Sequence, residues 1–290
     1  MDPRILDRLR CPVCGEPLAE ATAGTARALR CPRGHSFDVA RQGYVNLFAG
    51  RAPHSGDSAE MVAARTDFLA AGHYDPVSDA LAAAATQAVQ HLRDVSSLDA
   101  YPLVVDAGAG TGRYLGAVLA ALPDAVGLAL DVSKPALRRA ARAHPRAAAA
   151  VADTWQRLPL ADGSTAVLLN VFAPRNGAEF HRVLDPAGTL LVVTPAADHL
   201  TELVDALDLL RVDPDKADRV VASLGGHFTP VSSTVHRAEL ALTRPEVATL
   251  VGMGPSAWHT NPTALAERLA ALPEPVRVRV AVRLDAYRRR

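Results

Sequence analysis

Four residues near the start of the sequence have the types and the spacing of metal ligands. Cys11 and Cys14 are separated by two residues, Cys31 follows after sixteen more, and His35 after a further three. Two such pairs can close a tetrahedron around one Zn²⁺, and the segment between them is free to form a hairpin. Because four protein ligands leave no open coordination position, we expect a structural zinc, one per chain. The alternative is three unrelated buried thiols.

A second group of residues, in the middle of the sequence, has the pattern of a small-molecule site. Asp106 follows a short apolar run and opens a turn with glycines at positions 108, 110 and 112. Such a turn lets the backbone approach a ligand closely at the carboxyl end of a strand. Two further apolar runs end in Asp131 and Asp153, and Asp131 is placed to accept both hydroxyls of a ribose. The alternatives are that these acids cap helices or that the fold binds nothing.

The elements that must position these residues alternate between strand and helix, which is typical of a doubly wound α/β fold. Helical stretches separate apolar runs that predict strands over 103–106, 126–131, 149–153, 165–172 and 189–194. Ahead of them, Asp57 or Ser58 caps a predicted helix that ends at Gly72, so that residues 73 and 74 emerge at its tip. We expect three parts: a zinc-binding module over 1–50, a helical linker over 51–99 and an α/β domain over 100–290.

The composition limits the classes of protein that fit this sequence. Of the 290 residues, 49% are hydrophobic, which predicts a packed core and excludes a disordered chain. The 31 basic and 31 acidic residues cancel, and this excludes binding to nucleic acid through overall positive charge. Met1 to Arg10 contain five charges, and no uncharged apolar segment reaches the roughly 18 residues of a membrane span. We expect a cytoplasmic protein without a signal peptide.

The charge is nevertheless unevenly distributed along the chain. Residues 27–51 have a net charge of +4 and residues 277–290 of +5, whereas residues 52–101 and 198–218 each have −5. The first basic stretch interleaves five arginines with three aromatic residues, a combination that suits unstacked RNA bases and phosphates. The alternative is a solvated rim around a small core. We expect the basic zinc module and the basic tail to hold one RNA hairpin between them.

Taken together, these motifs resemble the RlmA family of 23S rRNA guanine-N(1) methyltransferases. The resemblance rests on the two ligand pairs, the strand-end motifs and the segments Gly43–Leu47, Gly56–Met61, Gly72–Tyr74, Thr194–Pro195 and Met253–Trp258. It implies a Rossmann-like class I S-adenosylmethionine-dependent methyltransferase domain behind a small N-terminal zinc-binding module. It implies a homodimer that methylates a hairpin of domain II of 23S rRNA, lining the peptide exit tunnel. Members from antibiotic-producing actinobacteria confer resistance to tylosin-type macrolides, and we expect that role here.

Roles for single residues follow from the motifs and the resemblance together. We expect seven residues to contact S-adenosylmethionine: Tyr74, Gly108, Gly110, Thr111, Asp131, Asp153 and His199. Asn170, at the end of the fourth predicted strand, is the candidate catalytic residue that orients guanine, although an amide cannot act as a general base. Phe172 and Trp258 are candidates for stacking on an extruded base. Alternatively, Tyr74 packs under the linker and His199 caps a turn.

Two other functions also fit the sequence. One is a small-molecule methyltransferase that uses the zinc module as a lid, because the cofactor motifs say nothing about the methyl acceptor. The other is a non-catalytic RNA-binding protein that keeps the fold. The arginines and aromatic residues of the zinc module favour RNA over a small acceptor, and the intact strand-end motifs favour an enzyme.

Overall fold

Most of the strands belong to one sheet in the computed structural model, which describes residues 1–23, 26–48, 50, 56–96, 101–211, 216–254 and 261–290. The described strands are β1 (Ala19–Ala23), β2 (Ala26–Arg30), β3 (Ser36–Asp38), β4 (Tyr44–Asn46), β5 (Leu103–Ala107), β6 (Val126–Asp131), β7 (Ala147–Val151), β8 (Thr165–Val171), β9 (Leu184–Pro195), β10 (Phe228–Leu242) and β11 (Val276–Arg289). The large sheet has the order β10-β11-β9-β8-β5-β6-β7-β4, and β1 to β3 form a separate small sheet.

The large sheet is parallel from β4 to β9 and antiparallel at β11 and β10. The five predicted strands correspond to β5 to β9 in the middle of this sheet, and the sheet confirms the predicted α/β class. The third predicted strand is shifted: β7 begins at Ala147 and ends at Val151, so Asp153 lies two residues beyond it. The stretch 277–290, expected as a basic tail, lies almost wholly in β11, which pairs with β9 and β10.

Helices cover both faces of the sheet. The described helices are α1 (Pro3–Leu6), α2 (Ala59–Ala70), α3 (Asp75–Val95), α4 (Arg113–Ala121), α5 (Lys134–Ala140), α6 (Gly177–Val183), α7 (Thr201–Leu207), α8 (Lys216–Leu224), α9 (Arg244–Gly252) and α10 (Pro262–Ala271). Alternate residues of a strand point to opposite faces, so Val104 packs in one core cluster and its neighbours Leu103 and Val105 in the other. None of these described helices combines the length and the apolar character needed to cross a membrane.

The N-terminal module packs directly on the sheet instead of forming a detached unit. Ile5, Leu9 and Leu29 are buried in the same cluster as Leu128 of β6. The module also contributes β4, which adds to the edge of the large sheet by pairing with β7. The domain boundary predicted at residue 50 stays a prediction. The last strand of the module, β4, belongs to the large sheet, whose other strands all come from residues 100–290.

The linker forms α2 and α3. The first of these helices, α2, begins and ends where the sequence predicts. Ser58 caps α2, because its side chain accepts a hydrogen bond from the Met61 amide at 3.2 Å. The side chains of Phe68 and Leu69 in this helix are buried. Gly72 then adopts a φ of +84°, which ends α2 and directs the chain into α3.

Candidate functional site

The four predicted zinc ligands converge in the N-terminal module. Their ligand atoms, three Sγ atoms and one imidazole nitrogen, all lie within 4.8 Å of one another. His35 Nδ1 is 3.3 Å from Cys31 Sγ and 3.6 Å from Cys11 Sγ, and Cys14 Sγ is 3.6 Å from Cys31 Sγ. In a tetrahedral site with Zn–S bonds of about 2.3 Å and a Zn–N bond of about 2.0 Å, ligand atoms are roughly 3.5–3.8 Å apart. The four residues therefore fit one zinc ion.

Tight turns hold the ligands in place. The amide of Gly15 donates to the carbonyl of Cys11 at 2.8 Å, and the amide of Gly34 donates to the carbonyl of Cys31 at 2.9 Å. Burial raises the pKa of the Cys31 thiol, but hydrogen bonds from the His35 backbone and from neighbouring ligands outweigh it and lower that pKa to about 6. The thiolate, which is the metal-binding form, is thus favoured at neutral pH.

A cavity of about 1000 Å³ lies at the carboxyl ends of the central strands. Six of the seven predicted cofactor contacts line it: Tyr74, Gly108, Gly110, Asp131, Asp153 and His199. Thr111 instead lines a smaller neighbouring cavity together with Gly112 and Arg139. The strand ends therefore gather nearly all of the predicted contacts around one space, as expected for ligands of open α/β sheets.

The glycine-rich turn after β5 needs glycine at position 108 for space and for conformation. Gly108 has a φ of +85°, and a Cβ there would lie 2.4 Å from Cβ of Ala173. A real Cβ would push the turn and the loop after β8 apart. The absence of a side chain keeps the backbone close to the cavity, which suits a ligand held along the turn.

Asp131 is anchored at the end of β6 and joins two turns. Its Oδ2 accepts a hydrogen bond from the Gly110 amide and its Oδ1 one from the Ser133 amide, both at 2.8 Å. Burial raises the pKa of Asp131, and these two hydrogen bonds oppose that effect. The residue that caps α5 is Ser133, whose Oγ accepts from the Ala136 amide. The oxygens of Asp131 keep further lone pairs for ribose hydroxyls.

The two carboxylate oxygens of Asp153 have different surroundings. Its Oδ1 accepts a hydrogen bond from the Trp155 amide at 2.9 Å. Its Oδ2 is buried and has no hydrogen-bond partner among the described residues. A buried acceptor without a partner fits an N–H donor of a ligand, such as the exocyclic amine of adenine. Because β6 and β7 are neighbours, Asp131 and Asp153 together fit an adenosine.

Tyr74 and His199 meet across the cavity although they are 125 residues apart. Tyr74 Oη lies 3.5 Å from His199 Nε2, and the Ala281 amide donates to His199 Nδ1 at 3.2 Å. In a neutral imidazole whose Nδ1 accepts, Nε2 carries the proton and points it at Tyr74. Burial raises the pKa of Tyr74, which keeps its phenol protonated. The two residues form part of the cavity wall.

Asn170 lies behind the wall of the cavity. The side chain is fully buried, and its Nδ2 donates to the carbonyls of Ala107 at 3.1 Å and Pro174 at 2.8 Å. Its Oδ1 has no hydrogen-bond partner among the described residues. The amide thus ties the end of β5 to the loop that follows β8. The predicted role of Asn170, orienting guanine, stays a prediction.

Two aromatic residues at the cavity are exposed. Phe172 is 41% exposed and holds a φ of +52°, an unusual conformation for a large side chain. Trp155 is 58% exposed, and sequence reasoning did not single it out although it follows the third acid motif. Arg65 also lines the cavity, and its place on a linker helix gave no signal of this. Trp258, the other stacking candidate, lies outside the described residues.

Comparisons with known proteins agree with these sites. Residues 9–55 match the zinc ribbon family described as "RlmA, N-terminal". A Micromonospora griseorubida protein with the provisional name 23S rRNA (guanine-N(1)-)-methyltransferase is 69% identical over 293 aligned positions, 99% of each chain. The 23S rRNA (guanine(748)-N(1))-methyltransferase of Streptomyces fradiae is 50% identical over 273 positions, 94% of each chain. At these identities and coverages the resemblance is confirmed, and the chain belongs to the RlmA family of 23S rRNA (guanine-N(1)-)-methyltransferases.

Proposed function

We propose that this chain transfers a methyl group from S-adenosylmethionine to N(1) of a guanine in 23S rRNA. The observation that carries the proposal is the cavity of about 1000 Å³, which is lined by the neighbouring acids Asp131 and Asp153 and by two exposed aromatic residues, Trp155 and Phe172. Sites for a small ligand occupy about 300–1,000 Å³, and this cavity lies at the upper end of that range, which suits a cofactor that is approached by an extruded base. The names of the relatives support rRNA over the small-molecule acceptor considered above.

The chain's own residues bind and orient the cofactor. When bound, S-adenosylmethionine supplies an electrophilic methyl group on a sulfonium. Asp131 accepts the ribose hydroxyls, and the buried Oδ2 of Asp153, which has no partner among the described residues, accepts the adenine amine. Gly108 lets the backbone lie along the methionine part, while Tyr74 and His199 form part of the cavity wall.

The acceptor side must align guanine with that methyl group. Guanine N(1) carries a proton, and its lone pair becomes available only as that proton leaves, so geometry and a proton path both matter. The exposed ring of Phe172 offers a face on which the extruded base stacks. Asn170 holds the loop that carries this ring, through the Pro174 carbonyl, and in this proposal it orients guanine as a positioning residue.

The finer assignments are also proposals. The Streptomyces fradiae relative is named for guanine 748, and at 50% identity we assign the same nucleotide to this chain. The target then lies in the domain II hairpin of 23S rRNA that the family resemblance implies, and the role is resistance to tylosin-type macrolides. The same resemblance supports a homodimer, and an rRNA substrate supports a cytoplasmic location.

Primer extension on 23S rRNA tests the proposed function, because a methyl group on guanine N(1) blocks base pairing and stops the polymerase. RNA from cells that express the chain should give a stop at guanine 748, and RNA from cells without it should not. Asp131→Ala should abolish the stop, whereas Asp124→Ala, an exposed acid outside the cavity, should retain it. A chain that leaves the rRNA unmodified while folded and expressed would refute the proposal.

A further inference from the structure

Arg65 of α2 lies against the glycine-rich turn of the cofactor cavity. Its Nη1 would be 3.3 Å from a Cβ placed on Gly110, so the guanidinium directly faces that glycine. The Gly110 amide in turn donates to Asp131. A cation therefore stands beside the acid that we assign to the ribose, within the cavity and on the side of β5.

The guanidinium is held in a fixed position. Its Nη1 forms an ion pair with Asp57, and its Nη2 donates to the carbonyl of Met253 at 2.7 Å. Asp57 is itself fixed, because its carbonyl accepts a hydrogen bond from Ser133 Oγ at 2.8 Å. An arginine has five N–H donors in a rigid fork, so these contacts leave donors for a ligand. The side chain is 25% exposed, which lowers the solvent screening of its charge.

The order of the strands says which part of the cofactor meets this arginine. Asp131 and Asp153 follow the neighbours β6 and β7 and take the adenosine. The strand β5 lies on the other side of β6, so the turn after it faces the remainder of the cofactor, the methionine part. That part ends in a carboxylate, the anionic group of S-adenosylmethionine. A planar guanidinium matches a carboxylate in both charge and geometry.

We infer that Arg65 binds the carboxylate of the methionine part, so that the linker helix α2 contributes a specificity-determining contact to the cofactor site. This inference rests on the proposed function, because it requires S-adenosylmethionine as the cofactor. The contact links three separate segments at the cofactor: the start of the linker through Asp57, the turn after β5, and the end of α9 through Met253.

Calorimetric titration with two ligands tests the inference without measuring activity. S-adenosylhomocysteine carries the carboxylate, and S-adenosyl-3-thiopropylamine is the same molecule without it. Arg65→Ala should weaken S-adenosylhomocysteine on the order of 10- to 100-fold, as expected for a lost charge-assisted contact, and change the decarboxylated ligand less than about threefold. Arg65→Lys should lie between, because it keeps the charge but loses the fork.

Arg113→Ala is the matched control, because Arg113 forms an ion pair with Asp75 beside the same turn but lines the neighbouring cavity. It should leave both affinities unchanged. If Arg65→Ala weakened the binding of both ligands equally, the inference would be overturned. Arg65 would then only connect Asp57 to Met253. A wild-type chain that binds neither ligand would refute the proposed function itself, and that result is distinct from a variant without selectivity.

Discussion

A single buried carboxyl, that of Asp106, stands out among the residues around the cavity. It is fully buried at β5, and neither of its oxygens has a hydrogen-bond partner among the described residues. Burial, with a smaller contribution from the charge of Asp131, raises the pKa of Asp106 to about 8. In the ligand-free protein this acid is therefore mostly neutral at pH 7.

Replacing this acid with its amide should alter how stability depends on pH. The unfolded chain loses the Asp106 proton near pH 3.8 and the folded chain near pH 8, so ionisation favours unfolding as the pH rises between these values. Asp106→Asn has no proton to lose. We expect the ligand-free variant to be more stable than wild type at pH 7, by on the order of 4 kcal/mol, and close to wild type in stability near pH 4.

Thermal unfolding at pH 4, 5.5, 7 and 8.5 measures this effect. Asp124→Asn, which removes an exposed acid paired with Arg93, is the control and should follow the wild-type curve. If the melting temperature of Asp106→Asn changed with pH between 4 and 8 as that of wild type does, Asp106 would be ionised in the folded chain. The raised pKa assigned to it would then be wrong.

At the scale of elements, the five central strands of the large sheet were predictable from the sequence, but its outer strands β4, β10 and β11 were not. The apolar run that ends in Asp131 fixes where β6 stops, because the polar residue must reach the cavity edge. The alanines of 147–150 give no such signal, and the third strand is accordingly shifted. Asp131 and the glycine-rich turn followed from the same logic, whereas Tyr74 and His199 followed from the family resemblance. Arg65 gave no signal in the sequence, because its approach to Gly110 depends on how α2 packs.

The strand β11 had a signal that charge counting concealed. Valines at positions 276, 278, 280 and 282 alternate with arginines and an alanine, which is the period-two pattern of a strand. These valines are buried and the stretch pairs along its length with β10. Reading the stretch only as a basic tail therefore missed an interior strand of the sheet.

The zinc module should be required for the stability of the whole sheet, because it covers one face and supplies β4. A structural zinc contributes about 10–16 kcal/mol in zinc-finger peptides, so its removal should be severe. We expect one zinc per chain by atomic absorption, and Cys31→Ser to lower the melting temperature by more than about 10 °C. Ser36→Ala, an exposed change in the same module, should leave the metal content and melting temperature unchanged. A metal-free Cys31→Ser that melts like wild type would show that the zinc is not required for the stability of the sheet.

At the scale of the whole molecule, the two basic regions do not lie side by side. The zinc module reaches the sheet at the edge strand β4, and β11 lies six strands away. Neighbouring strands are about 4.8 Å apart, so β4 and β11 are separated by roughly 29 Å. Within β11, Arg288 pairs with Thr189 and lies toward the end of the sheet remote from the cavity, whereas Arg283 pairs with Thr194 near the cavity end. The zinc module, in which arginines and aromatic residues are interleaved, remains our candidate for RNA.

Charge reversal in that module tests this assignment. Arg33 is exposed and its guanidinium lies 3.6 Å from Glu16, a weak surface pair that leaves it available to phosphate. Arg33→Glu should weaken binding to a 23S rRNA hairpin roughly tenfold at 0.15 M salt and lower the salt slope by about one. Arg93→Glu, at the C-terminal end of α3, is the control. Filter binding at several salt concentrations would contradict the assignment if both variants behaved like wild type.

The pairing of β4 with β7 has a consequence for synthesis. The strand Tyr44–Asn46 joins the sheet beside Ala149–Val151, about a hundred residues later in the chain. Because β4 leaves the ribosome before β7, it cannot pair until β7 has been made, and pairings so distant in sequence form slowly. Early capture of the metal by Cys11, Cys14, Cys31 and His35 would keep the nascent segment locally ordered through this interval.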